Sequence, residues 1–392
     1  MTMSSNSASS VQASELVAGA GEPHQLGRSL MEPVFPNREQ RIASGGSGKG
    51  IPLASRPRSR RRPMDHSARP VRLGWHASHE QFGPAELLGW AADAERAGFD
   101  EVWASDHLAP WSARQGHSGF VWSWLGAALA TTSVSYGVVT TPGYRYPPSV
   151  LAQAIGTLTT MYPGRLSVGF GTGEALNEAA VNGSWPSKSD RRRALQRDLE
   201  SIAMLLRGEG VARAGGLARI YETPDEPPTI GGCALTTATA RWLGTWAPGF
   251  VTVADVLDET RERVEAYREG AGPDRPVALK AQISYGRTHD EAVAEAAEQW
   301  RNPLLSPELL SELRTPEEFD EAAAKVPVSR VEERIRCLDS PEALMEWVGA
   351  LTDACRPDLI VVHNVASDQG LLLDALRQWS GSRDRLAAAI AS

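Results

Sequence analysis

The chain has 392 residues, of which 42% are hydrophobic and 22% charged, and it contains 12 tryptophans. This composition supports a buried core and excludes a disordered or fibrous protein, while no apolar run approaches the roughly 18 residues of a transmembrane helix. The three cysteines lack CxxC spacing, so they indicate neither a disulfide framework nor a thiolate zinc site, and we expect a reducing, cytoplasmic location.

The formal net charge of −8 is unevenly distributed along the chain. Residues 1–70 carry ten Arg and Lys against five Asp and Glu, a net charge of +5, which leaves −13 for residues 71–392. A body this acidic is not expected to bind nucleic acid. Residues 1–70 are rich in Ser, Gly, Pro and Arg and lack an apolar stripe, so we predict a disordered basic leader before one domain at 71–392.

The basic run at 56–63 allows other interpretations of the leader. Twin-arginine export requires an apolar segment after the arginines, and residues 64–70 are polar instead. A nucleic-acid-binding arm is a second interpretation. A third is that translation begins at Met64, just before the first predicted strand.

From Val71 onward, short apolar runs alternate with helical patterns, which is typical of repeated βα units and a parallel sheet. A helix is predicted at 84–97, with Pro84 in its first turn and Gly98 after its end. Apolar stripes predict further helices around 151–158 and 195–206. We therefore predict a (β/α)8 TIM barrel with an insertion at 303–326 and eight strands, at 71–75, 101–104, 133–139, 166–170, 229–231, 250–253, 278–284 and 359–362.

Polar residues follow three of these strands, at the end of the barrel where active sites lie. The first strand leads into His76, Ser78, His79 and Glu80, the second into 105–107, and the fourth into 171–177. We expect these groups to face one another across the barrel mouth.

Each motif also has a simpler interpretation. The glycines at 169, 171 and 173 resemble a dinucleotide fingerprint, but Glu174 in the sixth position would repel a pyrophosphate. Glu174 can be a helix-start carboxylate and His107 a core histidine. A metal site would draw on His76, His79, Asp106 and His107, although no HExxH motif is present.

Four stretches together are specific enough to resemble a known family, and they lie at 73–82, 105–111, 145–148 and 171–178. They resemble the luciferase-like flavin/deazaflavin oxidoreductase superfamily, in particular the branch of coenzyme F420-dependent glucose-6-phosphate dehydrogenases. The resemblance covers about 71–378, and it implies a TIM barrel, a homodimer and a bound F420.

The resemblance also assigns functional residues. It implies that the catalytic residues are His107, Glu174, Glu80 and Trp111, and that a non-prolyl cis peptide joins Val138 and Val139. The implied cofactor contacts are Asp106, Thr141, Thr172, Gly173 and Asn177.

The chain departs from this branch where the substrate phosphate is bound. Residues 252–255 read Thr-Val-Ala-Asp without the lysine that the family has there. The position of the family's second phosphate-binding lysine falls near Leu310, where this chain also lacks a lysine. Only Arg334 remains of the cationic set. With Arg334 and Thr252 as the substrate residues, we expect glucose 6-phosphate to be a poor substrate and a neutral compound, packed against Val253, Leu310 and Trp300, to be preferred. Residues 233–236 resemble a side branch for which FMN is the alternative cofactor.

The sequence thus predicts a hydride-transferring oxidoreductase that uses F420 and a small organic substrate, with no membrane or nucleic-acid partner. The first alternative is an FMN-dependent reductase or monooxygenase. The second is a non-catalytic barrel whose basic arm binds nucleic acid.

Overall fold

The computed structural model describes residues 71–213 and 215–391, and their side chains except those of 213 and 381–391. The predicted leader at 1–70 lies outside the described residues. In the described part, no helix is long and apolar enough to cross a membrane.

Eight parallel strands close into a barrel, as the sequence predicts. The strands in chain order are β1 (Arg72–Ala77), β2 (Glu101–Ser105), β3 (Ser135–Thr140), β4 (Leu166–Phe170), β5 (Val211–Arg213), β6 (Gly216–Ala218), β7 (Thr229–Cys233), β8 (Phe250–Ala254), β9 (Val277–Tyr285), β10 (Arg336–Leu338) and β11 (Leu359–Asn364). The barrel order is β1-β2-β3-β4-β7-β8-β9-β11, and β11 pairs with β1 to close it. The TIM-barrel prediction is confirmed.

Three short strands lie outside this order. Strands β5 and β6 form an antiparallel hairpin, and β10 pairs with the C-terminal residues 283–285 of β9. None of the three was predicted, because runs of three residues carry no recognisable alternation.

The helices lie between the strands, and their bounds are α1 (Pro84–Arg96), α2 (Val121–Thr131), α3 (Pro148–Met161), α4 (Ala175–Asn182), α5 (Lys188–Leu206), α6 (Thr237–Gly244), α7 (Leu257–Ala271), α8 (His289–Gln299), α9 (Pro307–Glu312), α10 (Pro316–Ala323), α11 (Val328–Arg334), α12 (Pro341–Cys355) and α13 (Gln369–Ala391). The predicted apolar stripes of α3 and α5 are buried, as in Leu151, Ile155 and Ile202. The predicted insertion contains a short 3₁₀ helix (Asn302–Leu304) together with α9 and α10.

Alternate residues of each strand fill the barrel interior. Trp103 of β2 packs there with Ala278, Leu359 and Val361. A Cβ atom on Gly137 of β3 would lie 2.0 Å from Trp103 Cε2, so a glycine is required beside the indole. This apolar layer closes the barrel below the polar mouth.

Candidate active site

His107 and Glu80 meet at the mouth of the barrel, although they follow different strands. His107 Nε2 lies 3.3 Å from Glu80 Oε1, and Ser78 Oγ donates to Glu80 Oε2 at 3.1 Å. Parallel strands end at the same edge of a barrel, which is why residues after β1 and β2 come together. The predicted convergence is confirmed for this pair.

Asn177, on α4, joins this pair to Glu174. Its Oδ1 accepts a hydrogen bond from the Leu108 backbone N–H at 2.9 Å, so its Nδ2 is the donor group. Nδ2 lies 3.3 Å from His107 Nδ1 and 3.2 Å from Glu174 Oε2. With Nδ1 accepting, the proton of a neutral imidazole lies on Nε2, facing Glu80.

The two proton carriers have pKa values displaced in opposite directions. Burial, and then the charges of Glu178 and Glu80, raise the pKa of Glu174 from 4.5 to about 8. Burial lowers the pKa of His107 below 6.5, against the opposing attraction of Glu80. At neutral pH the carboxyl therefore holds a proton and the imidazole is neutral. A proton donor and a proton acceptor thus lie on either side of one amide.

Asp106 has a supporting role in the structure. Its carboxylate accepts hydrogen bonds from three side chains and pairs with a guanidinium at 3.3 Å, and these partners are Thr140, Trp122, Tyr146 and Arg145. Arg145, in turn, lies 3.4 Å from Glu178 on α4. Burial raises the pKa of Glu178 to about 7, although Arg145 opposes the rise. This buried network ties the end of β2 to the helix that carries Asn177.

Trp111 packs against the imidazole and is held by the insertion. Its ring centre lies 5.0 Å from that of His107 and 5.1 Å from that of Phe319 on α10. Asn302 Nδ2 donates to the Trp111 carbonyl at 2.6 Å and to Asp320 at 2.9 Å. The insertion therefore fixes one wall of the site.

Gly171, after β4, leaves room for one more atom beside the predicted cofactor contacts, whereas a Cβ atom on Gly173 would lie 2.9 Å from Glu178 Cγ and Thr141 Cγ2. A Cβ atom on Gly171 would have nothing closer than 3.9 Å, and its nearest neighbours are Gly173 N, Thr141 Oγ1 and Cys233 Cβ. Gly173 has φ +77°, which is unfavourable for other residues. A flat ligand can approach the backbone here more closely than a side chain would permit.

Both predicted substrate residues are engaged within the protein. Arg334 Nη1 lies 2.9 Å from Asp255 and 2.7 Å from Glu259. Thr252 Oγ1 donates to the Ala234 carbonyl at 2.8 Å. Their part in substrate binding stays a prediction, and it requires these contacts to be exchanged for substrate contacts.

Sequence reasoning missed Lys280 and His363, which also face the interior. Lys280 lies two residues after Ala278 on β9, and His363 lies two residues after Val361 on β11. Because Ala278 and Val361 pack inside the barrel, the period-two alternation of a strand directs both residues inward. That alternation was a usable signal, but Lys280 stands inside the predicted strand at 278–284. His363 directly follows the predicted strand at 359–362, where we did not collect polar residues.

Comparisons with known proteins agree with this geometry. The model of the luciferase-like monooxygenase family matches residues 64–355. An F420-dependent glucose-6-phosphate dehydrogenase of Microbacterium testaceum is 36% identical over 315 residues, covering 76% of this chain and 93% of the relative.

Two solved structures share the barrel. An F420-dependent secondary alcohol dehydrogenase, in complex with an F420–acetone adduct, is 29% identical with a TM-score of 0.72, covering 79% of this chain and 97% of the other. The oxygenating constituent of 3,6-diketocamphane monooxygenase from Pseudomonas putida, in complex with FMN, is 16% identical with a TM-score of 0.59, covering 78% and 96%. The second likeness shows the fold alone.

Proposed function

This chain belongs to the luciferase-like monooxygenase family, and we propose that it is an oxidoreductase that moves a hydride between coenzyme F420 and a small alcohol or carbonyl compound. The observation that carries the proposal is the pairing, through Asn177, of a neutral imidazole with a protonated carboxyl. The F420-dependent relatives support the choice of cofactor.

The residues at the mouth fit a flat, polar cofactor. Because Gly171 has no side chain, a ring can lie against its backbone, with Thr141 and Gly173 at the border. Thr172, Asn177, Asp106 and the Val138–Val139 peptide would complete its surroundings, as the family resemblance implies. When bound, F420 supplies a carbon that accepts or releases a hydride, which no side chain can do.

His107 and Glu80 together accept a proton. The proton on Nε2 is directed to the Glu80 carboxylate, which orients the ring and stabilises an imidazolium. Since burial keeps the pKa of His107 low, the ring is neutral at pH 7. Its one acceptor nitrogen is then Nδ1, so it takes a proton from a substrate hydroxyl only when that hydroxyl replaces Asn177 Nδ2 as the hydrogen-bond donor.

Glu174 would supply the proton that F420 takes up when it accepts a hydride. Because its pKa is raised to about 8, the carboxyl is protonated where His107 is neutral. Two titrating groups with pKa values displaced in opposite directions are the arrangement that general acid–base catalysis requires. Trp111, which is buried beside His107, excludes water and offers a ring face for packing.

The substrate is a small organic molecule, and which compound it is belongs to the proposal. The comparisons do not support our expectation that glucose 6-phosphate is excluded, because curated relatives carry that activity in their names. The engaged state of Arg334 is the structural argument for the expectation. We keep glucose 6-phosphate as a test substrate, and we further propose a cytoplasmic homodimer.

Fluorescence titration of the full chain with F420 and with FMN tests the proposal. We expect tighter binding of F420. Gly171→Ala should weaken it at least 10-fold without lowering the melting temperature, because the added methyl fills the ring's space and contacts no protein atom closely.

Gly89→Ala, on α1, is the matched control, since a Cβ atom there has nothing within 4 Å and likewise makes no close contact. Tight binding of FMN with no binding of F420 would contradict the cofactor assignment. Unchanged F420 affinity in Gly171→Ala would contradict the placement of the ring.

A further inference from the structure

Strands β1, β9 and β11, together with the C-terminal end of α8, bring together an inner cluster of four residues, which are His76, Lys280, Trp300 and His363. The ring centres of His76 and His363 are 4.3 Å apart. Trp300 meets His363 edge-on at 4.5 Å, and Lys280 Nζ lies 6.0 Å from the Trp300 ring centre. The aromatic members are at most 3% exposed and Lys280 is half-buried.

Several polar atoms of the inner cluster have no hydrogen-bond partner among the described residues. They are His76 Nε2, both ring nitrogens of His363 and the indole Nε1 of Trp300. A buried polar group without a partner costs about 1 to 3 kcal/mol, so native proteins rarely leave several together unless a ligand or water completes them. The N–H groups among these atoms are hydrogen-bond donors, so they suit a ligand that is rich in acceptor oxygens.

Lys280, which is half-buried, differs from Arg145 and Arg334 in its pairing. Arg145 pairs with Asp106 and Glu178, and Arg334 pairs with Asp255 and Glu259. Within the described residues, no carboxylate lies within ion-pair distance of Lys280.

The neighbouring titratable groups make no contact ion pair with this lysine. Burial lowers the pKa of Lys280 to about 8, so the amine is charged at neutral pH. Glu174 holds its proton there, and the pKa values of His76 and His363 are lowered well below 6.5 by burial. Glu80 attracts Lys280, but its two oxygens already contact His107 and Ser78. Lys280 is therefore a cation that faces the site without a contact ion pair among the described residues, although the Glu80 carboxylate lies near enough to attract it.

We propose that Lys280, with His363 beside it, binds an oxyanion of the substrate, a carboxylate or a phosphate. The substrate is then an anionic alcohol or carbonyl compound rather than a neutral one. This rests on the proposed function and deepens it. Our expectation of a neutral substrate counted Arg334 as the sole cation, and Lys280 replaces it as the anion-binding residue.

Binding of oxalate and of inorganic phosphate to the F420-loaded protein, at constant ionic strength, tests the proposal without turnover. We expect saturable binding of at least one anion, weakened about 10-fold or more in Lys280→Met. Lys280→Arg, which keeps the charge, should retain the binding. Lys325→Met, at an exposed position on the surface, is the matched control and should change nothing.

Turnover of matched pairs supplies the second measurement, with glycolate against glycolamide and glucose 6-phosphate against glucose. In Lys280→Met the preference for the charged member should disappear. Persistence of that preference, a loss of F420 affinity in Lys280→Met, or failure of the wild type to bind either anion would overturn the proposal.

The two proposals fail differently. If the chain does not use F420, neither substrate of any matched pair reacts in the presence of F420. The anion titration is then repeated on the protein without cofactor. A loss of anion binding in Lys280→Met would then still support the anion site. If Lys280→Met does not fold, Lys280→Gln takes its place in both measurements.

Discussion

Replacing Glu174 with glutamine should stabilise the cofactor-free protein increasingly as the pH rises from 5 to 8. The pKa of this carboxyl is raised from 4.5 to about 8, mainly by burial. Between these values the native protein holds a proton that the unfolded chain has released. The native state then binds more protons than the unfolded state, so the free energy of unfolding falls as the pH rises through this window.

The size of the effect follows from the displacement of the pKa. At about 1.4 kcal/mol per pH unit, the interval from 4.5 to about 8 corresponds to a ceiling of about 5 kcal/mol. Because the side chain is partly exposed at the mouth, solvent screening reduces this, and we expect about 2 to 4 kcal/mol. Glutamine has nearly the same shape and never ionises, so it removes this loss.

Thermal unfolding followed by circular dichroism at pH 5, 6.5 and 8 measures the effect. At about 2 °C per kcal/mol for a domain of this size, the melting-temperature difference between Glu174→Gln and wild type should grow by about 4 to 8 °C. Glu298→Gln is the control, because that side chain is 63% exposed. A difference that stays constant from pH 5 to 8 would refute the raised pKa.

Three further predictions concern single changes. His107→Ala should lower turnover by about 10² to 10⁴ and leave F420 affinity unchanged in a fluorescence titration; a near-normal rate would place the chemistry elsewhere. Trp111→Ala should weaken ligand binding as well as slow turnover, because it removes packing area beside His107, and a pure rate effect measured by steady-state kinetics would count against stacking. Deletion of residues 1–63 should change neither F420 affinity nor melting temperature, since the first strand begins at Arg72, and an insoluble product would make the predicted domain boundary wrong.

The barrel and the acid–base residues were predictable from the sequence for a physical reason. Strand β4 was predicted with its observed bounds. Its short apolar run lies between a helical stripe and a set of glycines, and such a run is too short for a helix and is therefore assigned as a strand. His107, Glu80 and Glu174 follow strands of one parallel barrel, and parallel strands deliver their C-terminal residues to one end. Their meeting therefore required no knowledge of distances.

The remaining features depend on contacts between residues distant in sequence. Nothing near Trp111 indicates that Asn302, 191 residues away, holds its carbonyl. Lys280 is a single charge inside a predicted strand, and its significance appears only when the interior shows no ion-pair partner for it among the described residues. Arg334 was assigned to substrate from the resemblance, and its engagement by Asp255 emerges only from the packing of α11 near the end of β8.

Anaerobic oxidation of reduced F420 by carbonyl compounds, followed by the return of F420 absorbance, tests the central claim most directly. We predict saturable, oxygen-independent reoxidation that is lost in His107→Ala and in Glu174→Gln while both variants still bind F420. If substrate is converted only with reduced FMN and oxygen, and reduced F420 stays unoxidised with every carbonyl compound tested, the assignment as an F420-dependent hydride-transferring enzyme is wrong.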